Sequence, residues 1–88
     1  MALTQDQISL VGNVTAAFLA AKNCPGIGRN GSAIGKVLNN ADVHTSDAGW
    51  LEATRQAQAQ LLDQYGADEF CEMVRNSPSI RPLVNLDQ

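Results

Sequence analysis

Two cysteines, a single histidine and one glycine-rich turn hold most of the reactive chemistry that this 88-residue sequence offers. Cys24 lies in Asn23-Cys24-Pro25-Gly26-Ile27-Gly28-Arg29-Asn30-Gly31, and Cys71 lies 47 positions later in Asp68-Glu69-Phe70-Cys71-Glu72. Metal sites place thiolates in close pairs such as C-x₂-C, and redox sites use C-x-x-C; neither spacing occurs here. Two outcomes remain: a disulfide between the turn and a late helix, or two buried thiols acting as small hydrophobes. Cys71, beside Phe70 on a helix, suits either. Cys24, in a Pro/Gly turn, suits the bridge better. A bridge of this span contributes roughly 4 kcal/mol in the chain-entropy treatment. It also implies an oxidising compartment, so the expectation is a periplasmic or secreted protein; free thiols would instead mean the cytoplasm.

Gly26-Ile27-Gly28-Arg29-Asn30-Gly31 spells G-x-G-x-x-G. A dinucleotide site needs a strand before that pattern and a βαβ unit around it, whereas here a helix precedes it. The glycines are expected to make a tight turn with positive φ and close backbone approach. Gly31-Ser32-Ala33-Ile34-Gly35-Lys36-Val37 falls one residue short of a P-loop and has Val in place of the Mg²⁺-binding hydroxyl. A helix opening after such a turn can still hold a small anion, so Arg29, Gly31 and Ser32 are candidate anion-binding residues. His44, flanked by Asp42, Thr45 and Asp47, has neither a nucleophile nor a second strong ligand in its motif. The oxygens between Asp42 and Glu52 are out of register for a calcium loop. No catalytic residue, metal site or cofactor is therefore assigned, and the chain is read as a non-enzyme. Asp63, Asp68, Glu69 and Glu72 form an acidic end, explained by helix capping and solvation or by docking of a basic partner.

The elements that must position these groups are helical. Thr4 and Gln7 form a Thr-x-x-Gln capping box, with Leu3 as a staple residue before it. Apolar residues then recur at helical spacing through Ile8, Val11, Thr15 and Phe18, with Val14 and Ala17 beside them. Pro25 ends that helix. A second helix is capped by Asn30 or Ser32 and carries Ile34, Val37, Leu38 and Ala41 inward, with Gly35 costing it roughly 1 kcal/mol. A third is expected to start at Thr45-Ser46-Asp47 and stop at Gly66 as a C′ glycine, with Trp50, Leu51, Leu61, Leu62 and Tyr65 in its stripe. Asp68 is expected to cap a fourth, which must stop before Ser77-Pro78. The fold class predicted is all-α: one domain over residues 1–88, a compact bundle of four helices at about 5–22, 31–40, 46–65 and 68–76. An extended C-terminal tail follows, packed on these helices or on another chain.

Composition narrows the partners. The net charge is −3, and the six Lys and Arg are scattered singly, which gives no footprint for nucleic acid or an anionic membrane surface. No apolar run is long enough to span a bilayer. Met1-Ala2-Leu3-Thr4 is read as a start methionine placed before a processed, Ala-initiated chain, with a signal peptide already removed. A domain this short buries only about 60–65% of its unfolded surface, so a cross-link or partner matters to its stability.

In size, helix content and cysteine separation the chain resembles the HdeA-type periplasmic acid-stress chaperones. Those are short exported all-α proteins with one disulfide, which dimerise and bind unfolding clients at low pH. The sequence departs from them in placing Cys24 in Cys-Pro-Gly-Ile after a long first helix, and in lacking a lysine-rich C-terminal tail. Cys24-Pro25-Gly26 together with Gly66-Ala67-Asp68-Glu69-Phe70-Cys71 is similar to a second group, small exported bacterial proteins of unknown function. That second resemblance implies no biochemistry.

Three functions follow as expectations. The first is an exported helical domain acting by protein–protein contact or homo-oligomerisation, with Ile80, Leu83, Val84 and Leu86 of the tail as partner-binding residues. The second is a periplasmic chaperone switched on by acid, as nine carboxylates lose charge below about pH 4. The third is a small-anion or small-ligand binder using the Cys24–Gly31 turn.

Overall fold

The first helix, α1, spans Gln5–Asn23 and makes the most extensive packing contacts of any element, chiefly with the third and fourth helices and the strand that follows it. Its start is the predicted capping box: Gln7 N–H donates to Thr4 Oγ1 (3.2 Å), and Thr4 N–H donates to Gln7 Oε1 (2.8 Å). The amide group of the same Gln7 donates to the Ala41 carbonyl at 3.0 Å, so the cap also ties α1 to the exit of the next helix. Burial runs around more than one side of α1, through Val11, Val14, Ala16, Ala17 and Ala20. These side chains are small, which lets neighbours approach closely. The one buried hydroxyl among them, on Thr15, donates to the Val11 carbonyl at 2.7 Å, which satisfies it.

This computed structural model describes residues 3–86, so the expected processed start at Met1-Ala2 lies outside the described residues. After α1 come β1 (Ile27–Arg29), α2 (Gly31–Asn40), α3 (Trp50–Gln64), α4 (Ala67–Asn76), a 3₁₀ turn (Arg81–Leu83) and β2 (Val84–Leu86). The all-α class holds, with four helices and a minimal two-stranded sheet.

The turn after α1 is set by Pro25-Gly26. Gly26 has φ 74°, and Ile27 N–H reaches the Cys24 carbonyl at 3.3 Å, the arrangement of a turn with Pro second and Gly third. Gly28 and Gly31, expected to serve the same purpose, do not have positive φ and leave room for a side chain. Instead Ile27–Arg29 forms a strand that sequence reading missed. It pairs antiparallel with β2 in the register Ile27↔Leu86, Gly28↔Asn85 and Arg29↔Val84. A two-stranded ribbon is marginal alone, but Ile27, Leu83 and Val84 are buried in the helical core, which holds it.

Asn30 caps α2, accepting from Ala33 N–H at 3.1 Å. The helix ends in a Schellman motif. Asp42 N–H donates to the Asn39 carbonyl and Val43 N–H to the Leu38 carbonyl, and Asp42 occupies the left-handed position at φ 56°. Val43 is buried beside Leu38 in a second small cluster with Val11 and Ala53.

The third helix starts four residues later than expected. Asp47 does not cap it; its carboxylate accepts from His44 N–H at 2.9 Å and holds residues 44–47 in a turn. Helix begins only at Trp50, with Gly49 as N-cap. A Cβ on Gly49 would lie 3.1 Å from Leu3 Cγ, so this glycine lets the segment before α1 approach the start of α3. At the other end Gly66 is not a left-handed C′ residue. Tyr65 is the C-cap in extended conformation, and Gly66, also extended, serves as N-cap of α4, displacing Asp68 into the first turn. The fourth helix stops at Asn76, before Ser77-Pro78, as predicted.

The tail packs on its own helices. Ile80, Leu83 and Val84 belong to the main core cluster with Val14, Phe70 and Val74, and Leu86 packs against it.

Candidate functional site

Cys24 is the C-cap of α1, its N–H still bonded to the Ala20 carbonyl at 2.8 Å. Cys71 lies on the buried face of α4, which also carries Phe70 and Val74. The two sulfurs are bonded, and the Cα atoms are 5.7 Å apart. Both residues are buried, so the bridge is part of the core. Neither sulfur is left as a thiolate nucleophile or a metal ligand. A disulfide fits an oxidising, non-cytoplasmic location.

His44 is solvated. Its Nε2 lies 3.1 Å from Asp42 Oδ1, and both side chains are exposed. No group of three or more His, Cys, Asp or Glu is placed to hold a metal among the described residues. No helix of the described residues is long and apolar enough to cross a membrane.

Of the proposed anion residues, only Arg29 borders a groove. The Arg29 guanidinium lies over the Phe18 ring, 5.4 Å from its centroid, in an open groove shared with Lys22 on α1. Gly31 and Ser32 sit exposed at the opening of α2, do not line that groove, and lie on a helix already capped by Asn30. The proposed partner residues Ile80, Leu83 and Val84 are likewise spent on the core, and Leu86 is half-buried.

The exposed large apolar side chains among the described residues are Ile8 on α1 and Leu51 and Leu62 on α3. Only Ala53 of α3 is buried, while Trp50, Leu61 and Tyr65 face the core in part. Leu51 and Leu62, placed in the inward stripe by sequence reading, are 65% and 63% exposed. They follow Trp50 and Leu61 by one residue each, so they point about 100° away from the inward stripe. Being eleven positions apart, they share one face, about 16 Å from each other along the helix. Leu62 borders a groove of about 440 Å³ whose apolar wall includes Leu19, Leu61, Tyr65 and Phe70. Tyr65 also borders a second, shallower groove on α4, which Asp68, Glu69, Glu72, Met73 and Asn76 line with it. The spacing of Leu51 and Leu62, one step off a self-consistent stripe, was the signal for this face.

No protein-family model, curated protein or solved structure matches this chain.

Proposed function

We propose that this chain is a non-enzymatic, exported domain that works by protein contact in an oxidising compartment such as the periplasm. Its contact surface is the outer side of α3 together with the grooves on either side of Tyr65. One observation carries the reading: two leucines are about two-thirds exposed on a single face of α3. A small domain gains stability by burying such side chains, and the tail shows that this chain can do so, since Ile80, Leu83 and Val84 are all buried. A contiguous exposed apolar surface marks an interaction site, and Leu62 is continuous with the groove lined by Leu19, Leu61, Tyr65 and Phe70. The disulfide supports the compartment.

The test is site-specific photo-crosslinking in the cell envelope, with the probe at position 62 and, as a control, at Lys36 on α2. The expected result is one defined adduct, with a protein or a second copy, from position 62 alone. It should be lost when Leu51 is changed to Asp. Equal labelling from both positions, or none from position 62, would remove the reading.

A further inference from the structure

Resting on that reading, we propose that the groove on α4 receives a basic amphipathic segment of the partner, with a Lys or Arg stem laid over Tyr65 and Met73. Its charged head faces Asp68, Glu69 and Glu72. The shallow groove is lined by the apolar Tyr65 and Met73 together with the carboxylates of Asp68, Glu69 and Glu72. Asn76, which also borders it, turns its amide donor away to the Glu72 carbonyl. An apolar stem with a cationic, donor-only head is the side chain that fits such a surface.

Charge placement points the same way. None of the three carboxylates is paired with a cation among the described residues. Asp68 and Glu69 lie in the first turn of α4, where the helix dipole favours them. Glu72 lies beyond that turn, four residues after Asp68 and three after Glu69, so it meets two like charges as neighbours on the helix surface. The helix dipole accounts for the first two and leaves the third without a structural role. Four of the six cations are placed elsewhere: Arg75 donates to the Pro25 carbonyl, Arg55 approaches Glu52, and Lys22 and Arg29 border a different groove.

Tyr65 is common to this groove and to the apolar one bordered by Leu62 and Phe70. Its ring is tilted against Phe70, with centroids 6.4 Å apart. One bound segment can therefore place apolar side chains beside Leu62 and cationic ones beside Glu72. That continuity favours an amphipathic segment over a free amine.

The test is an amide NMR titration of the intact, disulfide-bonded chain with a synthetic helical peptide built of Leu and Lys. A second peptide has Gln at every Lys position. The Leu/Lys peptide is expected to shift amides between Tyr65 and Asn76, and the Gln peptide to bind at least about tenfold more weakly. Glu69→Gln with Glu72→Gln should weaken binding by about fivefold or more, whereas Asp63→Asn, outside the groove, should not change it. Thermal melts of these surface variants would confirm that the fold is kept. Equal binding of the two peptides, or unchanged affinity in the Gln variant, would overturn the proposal. So would self-association that Lys22→Gln and Arg29→Gln abolish, because the occupant would then be a second copy. If the adduct at position 62 persists in the Glu69→Gln, Glu72→Gln variant, protein contact stands and this assignment alone fails.

Discussion

The guanidinium of Arg75 donates a hydrogen bond to the carbonyl oxygen of Pro25, 3.2 Å away and fifty residues earlier in the chain. Arg75 is one helical turn beyond Cys71, and Pro25 is the residue after Cys24. The fourth helix thus grips the turn after α1 at two adjacent points, one covalent and one polar. Because the hydrogen bond is exposed, Arg75→Ala should cost only about 0.5–1 kcal/mol in the bridged protein. Without the bridge, the same substitution should cost measurably less, since the turn is no longer held in reach. A double-mutant cycle by urea unfolding, with a coupling of about 0.5 kcal/mol or more, would show that the two ties cooperate.

Replacing both cysteines by Ala removes a cross-link spanning 47 positions. The chain-entropy treatment gives a loss of about 4 kcal/mol. For a domain this small that lowers Tm by about 15–30 °C, read by circular dichroism. A change of only a few degrees would mean that the core holds itself together without the staple.

Leu83 is 2% exposed and sits where the 3₁₀ turn meets β2. Leu83→Ala should cost about 2–5 kcal/mol, as for other large-to-small changes in a packed core. Truncation after Ser77 removes Ile80, Leu83, Val84 and the partner strand of β1 together, and should abolish the cooperative melt. A truncated chain that melts normally would show that the tail is dispensable to the fold.

Two substitutions around α2 are expected to stabilise. Gly35 lies inside the helix with nothing within 4 Å of where a Cβ would stand, so Gly35→Ala should gain up to about 1 kcal/mol. Asp42 holds the left-handed position of the Schellman motif, which glycine occupies without steric cost, so Asp42→Gly should gain about 0.5–1 kcal/mol. Denaturant midpoints decide both. A loss at position 42 would mean that the contact between His44 and Asp42 matters more than its exposure suggests.

Leu62→Asp should change unfolding free energy by no more than about 0.5 kcal/mol, because the side chain is already largely in water. With the probe moved to position 51, the same variant should lose the adduct expected from the outer face of α3. A large loss of stability would instead assign Leu62 to the core and leave the contact surface without its anchor.

Much of the fold was legible because it is local. Four residues spelled the start of α1, Pro25 spelled its end, Ser77-Pro78 ended α4, and an even cysteine count in suitable surroundings pointed to the bridge. The misreadings have a common cause, which is contact between distant parts of the chain. Strands of three residues, separated by more than fifty, leave no period to detect, so β1 passed as part of a glycine turn and β2 as an apolar tail. The start of α3 was misplaced because Asp47 bonds backward to His44, and because Leu3 fills the space beside Gly49. The tail was offered as a partner surface on hydrophobicity alone, yet its side chains close the monomer's own core. The face with the exposed leucines was hidden in the same apolar letters, one residue out of step with the stripe that is partly buried.

The bridge between Cys24 and Cys71 has a consequence for what a protease can achieve. Every residue between them lies on a covalent circle, and the exposed turn from His44 to Ala48 is part of that circle. A single cut there opens the circle without releasing a fragment. The product is a two-chain molecule whose halves share one core, and it runs as one species until a reductant separates them. In an oxidising compartment, a nicked copy therefore keeps α3 and α4 covalently joined to α1. Releasing them by cleavage takes either a second cut or a thiol.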